Sequence, residues 1–185
     1  MTVAIGVTGH RILMELEKVE AGIAGALVRV EEKYPNRSLT VLSALAEGAD
    51  RLVARSVLAR PDSQLIATLP LSRSEYIEDF ATAESREEFL GFLEQAAEVI
   101  ELPPASTRDA AYEAGGQYIL NHCDVLLAVW DGQGAQGQGG TGGTVARARE
   151  RGLPIAWVHA GNRKPGTLEP TSLGEEQGKV TFERL

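Results

Sequence analysis

The chain has 185 residues, which is enough for one domain with a full hydrophobic core and too few for two comfortable ones. Hydrophobic residues make up 43% of it and charged residues 24%, which is ordinary globular usage and excludes wholesale disorder. The formal net charge of −8 disfavours a non-specific nucleic-acid binder, because phosphate neutralisation needs a basic surface, so DNA is not an expected partner.

Cysteine usage and hydropathy indicate the compartment. Cys123 is the only cysteine, so no internal disulfide can form and a reducing cytoplasm is expected. We interpret Cys123 as a packing residue rather than a catalytic thiol. No basic and apolar leader precedes Val3, and no apolar run approaches the roughly 20 residues that a membrane span requires. We therefore expect a cytoplasmic protein with no membrane partner.

Short apolar runs alternate with helical patterns along the chain, which predicts a parallel sheet covered on both faces. The runs occupy residues 3–7, 39–42, 65–69, 99–102, 125–130 and 155–158. Helical patterns cover 15–34, 50–58, 108–122 and 144–151, with one or two further helices between 74 and 97. The predicted fold class is α/β, a doubly wound, mainly parallel sheet in a Rossmann-like three-layer sandwich. We expect one domain over residues 1–160, then a polar tail over 161–185 with a short edge strand at 180–182.

Polar residues and glycines follow the first two predicted strands. They are Thr8, Gly9, His10 and Arg11 after the first strand, and Ser43, Ala44, Glu47 and Gly48 after the second. In open α/β sheets ligands bind outside the carboxyl ends of the strands, so both groups are predicted to share one ligand-facing edge. The motif GVTGHR is then either a phosphate-binding corner or simply a tight turn.

The strongest single signal is the glycine loop, residues 132–144, which follows the fifth strand and leads into a helix predicted to begin near Thr144. Its glycines expose backbone amides, and Thr141 and Thr144 add hydroxyl donors, so an anion at this helix start would meet several donors. We favour anion binding over a low-complexity linker, because the loop joins a buried strand directly to a helix. Neither the P-loop spacing nor the dinucleotide spacing G-x-G-x-x-G is present.

Three acidic side chains and one histidine are candidates for roles beside the loop. Glu47 either accepts ribose hydroxyls or only supplies charge at a helix start, whereas Asp50 is expected to cap that helix. Asp131 either accepts ligand hydroxyls or caps the turn after the fifth strand, with capping favoured. His10 follows a glycine turn, where packing does not explain an imidazole, so it is predicted to be a hydrogen-bond donor or an acid/base.

Cations and aromatic residues at the same edge complete the candidates. The cations either pair with phosphate or are ordinary solvated charges, and they are His10, Arg11, Arg51, Arg73 and Arg108. A base could stack on Tyr76 or Tyr112, whereas Tyr118 and Trp130 are expected in the core. His122 and His159 have no metal-ligand spacing with His10, so we predict no metal site and no cofactor.

Four stretches together resemble the SLOG superfamily of Rossmann-like nucleotide-binding domains, which includes the lonely-guy phosphoribohydrolases and the DNA-processing protein A family. They are GVTGHR, SALAEGADRLVA, LPLSRSEYIEDF and CDVLLAVWDGQGAQGQGGTGGTVARARERGLPIAWV. The resemblance implies a nucleotide or nucleotide-derived ligand, with further contacts from Thr8–Arg11 and Ser43–Gly48 and a homodimer, which is common among similar proteins. It also implies phosphate contacts from Gly139, Gly140, Thr141, Gly142, Gly143 and Thr144.

The sequence departs from the lonely-guy motif P-G-G-x-G-T-x-x-E at the position of its catalytic Glu. Aligned from Gly139 or from Gly142, the glycine loop places no acidic residue there, and Glu150 comes one place too late. The resemblance therefore favours a sensor or binding module. The alternative is a hydrolase of the nucleotide N-glycosidic bond, with Glu47 and His10 as the substitute catalytic candidates.

Overall fold

The computed structural model describes residues 1–134 and 140–185, and these residues form one seven-stranded sheet. The strands are β1 (Thr2–Gly9), β2 (Ser38–Ser43), β3 (Gln64–Leu69), β4 (Glu98–Glu101), β5 (Val125–Trp130), β6 (Ile155–His159) and β7 (Val180–Glu183). Their order across the sheet is β4-β3-β2-β1-β5-β6-β7. Every neighbouring pair is parallel except β6 and β7. This arrangement confirms the predicted fold class.

Helices cover both faces of the sheet. They are α1 (Leu16–Lys33), α2 (Ala49–Leu58), α3 (Arg73–Tyr76), α4 (Ala83–Gln95), α5 (Arg108–His122) and α6 (Thr141–Glu150). Successive residues of β1 point to opposite faces of the sheet. Val3, Ile5 and Val7 pack with α1 and α2 on one face, whereas Gly6 faces α5 on the other. A Cβ on Gly6 would lie 2.6 Å from Cγ2 of Ile119, so only glycine lets α5 approach this closely.

The strand order reverses direction between β1 and β5, which therefore form the topological switch point of the sheet. Loops leaving two such strands diverge to opposite faces and leave a crevice between them. Residues after β1 and β5 line this crevice, and α6 follows from the same edge. The fold thus brings the GVTGHR corner and the exit toward the glycine loop side by side.

A buried side chain, that of Gln177, helps to attach the segment after β6 to the domain. Gln177 is only 4% exposed, accepts the Gly161 N–H at 2.9 Å and donates to the Met14 carbonyl at 3.0 Å. The chain then continues as β7, antiparallel to β6 at the edge of the sheet. Within the described ranges, no helix combines the length and the apolar character needed to cross a bilayer.

Candidate functional site

The exit of β1 is packed tightly against its neighbours. A Cβ on Gly9 would lie 2.4 Å from the Ala49 Cβ and 2.7 Å from the Val129 carbonyl oxygen. The next amide, that of His10, donates to the same Val129 oxygen at 3.0 Å. Close packing of β1 on α2 and β5 is therefore sufficient to explain the glycine at this corner.

His10 and Asp131 meet across the switch point. Asp131 donates its backbone N–H to His10 Nε2 at 3.1 Å, and its Oδ1 lies 3.2 Å from the same nitrogen. Burial lowers the pKa of His10, and the nearby Asp131 carboxylate only partly opposes this. Nε2 is thus the ring nitrogen that Asp131 engages, through both its backbone amide and its carboxylate.

Asp131 also orders the turn that follows β5. Its Oδ1 accepts the Gln133 N–H at 3.0 Å, which is the turn-capping role favoured by the sequence. One side chain thus joins the start of the glycine loop to His10. The arrangement fixes the direction in which the loop leaves the sheet.

Backbone amides of the loop after β2 donate hydrogen bonds to acceptors within the protein. Ser43 Oγ accepts the Leu45 N–H at 3.0 Å, and the His10 carbonyl accepts the Ala49 N–H at 3.1 Å. Gly48 has a φ of 77°, and a Cβ there would lie 2.4 Å from the Arg11 carbonyl oxygen. Ala44 is half-buried beside Ser43 in this loop. The loop lies directly against the β1 corner, and these amides already have acceptors.

Asp50 does not cap α2, contrary to the prediction. The helix begins at Ala49 with Gly48 as its N-cap residue, and Asp50 instead accepts the Ala46 N–H through Oδ2 at 3.2 Å. Its side chain is almost fully enclosed, and burial raises the pKa of Asp50 to about 6 although Arg11 and Arg51 lie near enough to oppose the shift. The Asp50 carboxylate therefore binds the loop after β2 from the protein interior and does not face solvent.

Replacing Asp50 by asparagine tests this burial through the pH dependence of stability. A raised carboxyl pKa means that the folded protein binds the proton more tightly, so stability falls as pH rises from about 4 to about 6. The free energy of unfolding of Asp50→Asn, relative to the parent, should therefore rise by up to about 3 kcal/mol over that range. Urea unfolding at pH 4, 5, 6 and 7 measures it. The exposed Asp62→Asn is the control, and a flat Asp50→Asn difference would contradict the burial.

Glu47 belongs to an ion network that joins the β2 loop to α4. Its carboxylate accepts the Ser85 hydroxyl. Arg51, which is 3% exposed, donates Nε to the Leu45 carbonyl at 3.0 Å and Nη1 to Glu88 at 2.8 Å and to Ser85 at 3.0 Å. Arg51 is thus neither a solvated charge nor a phosphate ligand, and both sequence alternatives for it are wrong. Glu47 is positioned by α4.

The start of α6 lies at the carboxyl edge of β5. The helix begins at Thr141, three residues before the predicted start, and its N-cap residue Gly140 provides no side-chain cap. The amides of the first turn of a helix have no partner inside it, so Thr141, Gly142 and Gly143 present donors and the positive end of the helix dipole. Thr144 is buried, and its hydroxyl donates to the Gly140 carbonyl at 3.4 Å. Gly139, the remaining predicted contact, lies outside the described residues.

The remaining aromatic and cationic candidates differ in what their side chains contact. Tyr76 is 1% exposed and packs edge-on against Phe80 and Phe89, so the prediction that a base stacks on it is wrong. Tyr112 is half-buried and donates its hydroxyl to Asp79. Asp79 also accepts Arg108 Nε at 3.1 Å, which ties Arg108 to the same cluster.

Two of the candidate arginines at the ligand-facing edge are exposed. Arg11 is exposed, and its guanidinium lies near the buried Asp50 and Tyr76. Arg73 is also exposed, while its backbone N–H donates to Glu101 at 3.0 Å beside a cavity of about 360 Å³. Of these two, Arg11 is the one adjacent to His10 in the chain.

An aromatic stack beside the glycine loop was not predicted from the sequence. Trp157 and His159 lie two residues apart on β6, so their side chains point to the same face of the sheet. Their ring centroids are 4.0 Å apart and the ring planes differ by 10°. The available sequence signal was the two-residue spacing of Trp157 and His159 at the end of an apolar run.

Comparison with known proteins finds similarity to solved structures alone. No protein-family model matches the chain, and no curated protein matches its sequence. Among solved structures it is similar to TM1055, a structural genomics target, with 14% identity, coverage of 83% of this chain and 72% of that chain, and a TM-score of 0.49.

Two further similar structures come from proteins named for the molybdenum cofactor. The molybdenum cofactor carrier protein of Chlamydomonas reinhardtii has 18% identity, coverage of 84% of this chain and 75% of that chain, and a TM-score of 0.47. The molybdenum cofactor binding protein of Rippkaea orientalis has 16% identity, the same coverages and a TM-score of 0.48. At these identities and scores the superpositions carry no inference about the ligand of this chain.

Proposed function

We propose that the chain is a SLOG-like binding module whose ligand is a nucleotide or another phosphorylated nucleoside derivative, held at the carboxyl ends of β1 and β5. The observation that carries the proposal is the start of α6 at the switch point of the sheet, where the N-cap residue Gly140 has no side chain to cap the first-turn amides of Thr141, Gly142 and Gly143. Backbone amides at a helix start bind phosphate without any basic side chain. Such a site suits a chain whose net charge is −8.

Side chains at the β1 corner support the same assignment. Asp131 holds His10 through Nε2, so Nδ1 is the ring nitrogen that His10 can offer to a ligand. Arg11 is exposed beside it and can pair with a phosphate oxygen in a forked geometry. Thr8 and Gly9 form the end of β1 beneath them, and Ser43–Gly48 form the adjoining wall. In this proposal the phosphate lies on α6 and the sugar lies toward His10 and Asp131.

The hydrolase alternative has weaker support, because its candidate carboxylate is engaged. Glu47 accepts the Ser85 hydroxyl, and Arg51 binds the same serine. A carboxylate that stabilises an oxocarbenium-like centre or activates water needs an accessible oxygen facing the sugar. Binding without turnover is therefore the proposal, and incubation with nucleoside monophosphates should release no free base. Base release that disappears in Glu47→Gln would replace it.

Substituting Gly142 by aspartate tests the phosphate position. A carboxylate in the first turn of α6 favours the helix dipole, so the unliganded protein should melt at the same temperature or slightly higher. The same carboxylate repels a phosphate, so the rise in melting temperature caused by nucleoside monophosphates should be lost. Thermal unfolding with and without a panel of these ligands measures both effects.

The matched control for Gly142→Asp is Gly91→Asp. Gly91 lies in α4, and a Cβ there has nothing within 4 Å. This variant adds the same charge far from the switch point, so it should keep the full ligand-induced shift. A Gly142→Asp protein that is stabilised by nucleotides as much as its parent would remove α6 from the site.

A further inference from the structure

Three aromatic rings form a continuous ladder beside the candidate site. Trp130 lies 5.2 Å from Trp157, and Trp157 lies 4.0 Å from His159, measured between ring centroids. Arg149 covers the Trp130 end, with its guanidinium carbon 5.5 Å from the ring centroid. At the opposite end, one face of His159 is against Trp157 and the residue is only partly buried. The accessible end of this aromatic ladder is therefore the outer face of His159.

The strand register places that accessible end on the ligand-facing edge of the sheet. His159 pairs with Trp130, and Trp130 directly precedes Asp131. On the other side of β5, Gly9 pairs with Val129, so His10 follows at the level of Trp130. Because neighbouring strands are about 4.8 Å apart, the His10 and His159 backbones are separated by about 10 Å. β5 and the start of the glycine loop lie between them.

Hydrogen bonds hold the rings of the ladder in place. Trp130 donates Nε1 to the Gln133 carbonyl at 3.0 Å, and Trp157 donates Nε1 to the Trp130 carbonyl at 2.9 Å. Nε2 of His159 lies 2.8 Å from the Thr181 hydroxyl oxygen. A side chain fixed before binding loses little conformational entropy when a ligand stacks on it.

Two further features suit the ladder to a flat, uncharged partner. Gly132 has a φ of 82°, and a Cβ there would lie 3.1 Å from Trp157 Cζ2, so the glycine leaves space for the ring. Burial lowers the pKa of His159, with Lys179 acting in the same direction and Glu176 opposing. The imidazole is then neutral at pH 7, and stacking on it does not require a buried cation.

We propose that the outer face of His159 stacks the nucleobase of the ligand whose phosphate binds the start of α6. This inference rests on the function proposed above and specifies the ligand further. Every base presents a π-face, so stacking tolerates different bases, and the larger purines should bind more tightly than pyrimidines. The occupant is a free mononucleotide rather than a nucleic-acid strand, since the chain carries a net charge of −8.

The test compares a ligand that has a base with one that lacks it. Adenosine 5′-monophosphate and ribose 5-phosphate are titrated calorimetrically into the parent, His159→Ala and His159→Phe. Loss of the stacking ring should weaken adenosine monophosphate binding roughly tenfold and leave ribose 5-phosphate binding unchanged. His159→Phe restores an aromatic plane without the nitrogens, so it should bind adenosine monophosphate nearly as well as the parent.

The control variant Thr181→Val removes the hydrogen bond to His159 and keeps the ring. Its affinity for adenosine monophosphate should fall by less than that of His159→Ala, because the ring is still stacked on Trp157, and melting temperatures of all unliganded variants check the fold. An unchanged affinity of His159→Ala for adenosine monophosphate would overturn the stacking proposal, as would an equal loss for both ligands. A parent that binds neither ligand would overturn the proposed function itself. Tighter, salt-dependent binding of an oligonucleotide would overturn the choice of a mononucleotide.

Discussion

Gly9→Ala is expected to lower the free energy of unfolding by about 3 kcal/mol, because the added methyl has no room. Its Cβ would lie 2.4 Å from the Ala49 Cβ and 2.7 Å from the Val129 carbonyl oxygen, and neither can move without shifting α2 or β5. An overlap with backbone cannot be relieved by a side-chain rotation. Urea unfolding followed by far-UV circular dichroism measures the loss.

Gly25→Ala is the matched control for this substitution. Gly25 lies inside α1, is exposed, and a Cβ there would have nothing within 4 Å. Both variants lose the same backbone freedom in the unfolded chain, so the difference between them isolates packing. Alanine at position 25 should stabilise the protein by about 0.5–1 kcal/mol. Equal effects at the two positions would mean that β1 and α2 do not pack as closely as described.

The large elements were predictable because each rests on a pattern within one short stretch. The run of six apolar residues at 125–130 coincides with β5, and the three- and four-residue spacing before Pro35 predicts α1 to within one residue at each end. The start of α6 was placed too late, because Gly142 and Gly143 are typical of a loop when considered alone. In the structure these glycines lie in the first turn of the helix, whose N-cap is Gly140.

The surroundings of the side chains at the ligand-facing edge were not predictable, because they depend on partners far away in the chain. Arg108 has the local pattern of a surface residue, yet it binds Asp79, which lies 29 positions earlier. Tyr76 follows a polar turn, and its packing against Phe80 and against Phe89 of α4 makes it a core residue. His10 and Asp131 meet across a separation of 121 residues. The sequence predicted that the strand ends share one edge of the sheet. It did not predict which side chains on that edge keep accessible polar groups.

Arg51→Ala is expected to lower the free energy of unfolding by about 2–4 kcal/mol, because the buried guanidinium satisfies a buried carbonyl and fills space beside Phe80. Arg51 satisfies the Leu45 and Ser85 carbonyls at 3.0 Å each, and its guanidinium carbon lies 4.5 Å from the centroid of the Phe80 ring. Alanine would leave the buried Leu45 carbonyl without this donor and open a cavity beside the ring. The exposed Arg55, which shares Glu88 with Arg51, provides the comparison, and its alanine variant should lose under about 1 kcal/mol.

The same substitution should also loosen the candidate site. Arg51 binds the Leu45 carbonyl of the β2 loop, and it binds Ser85, whose hydroxyl donates to Glu47. Arg51→Lys keeps the charge but has one nitrogen in place of three, so it should recover only part of the lost stability. Below the unfolding transition, hydrogen exchange should show faster opening of the loop amides in both variants, with Arg55→Ala unchanged. Equal losses of stability in Arg51→Ala and Arg55→Ala would show that both act as ordinary surface partners of Glu88. In that case the loop that borders His10 would be held by its other contacts, such as those of Ser43 and Asp50.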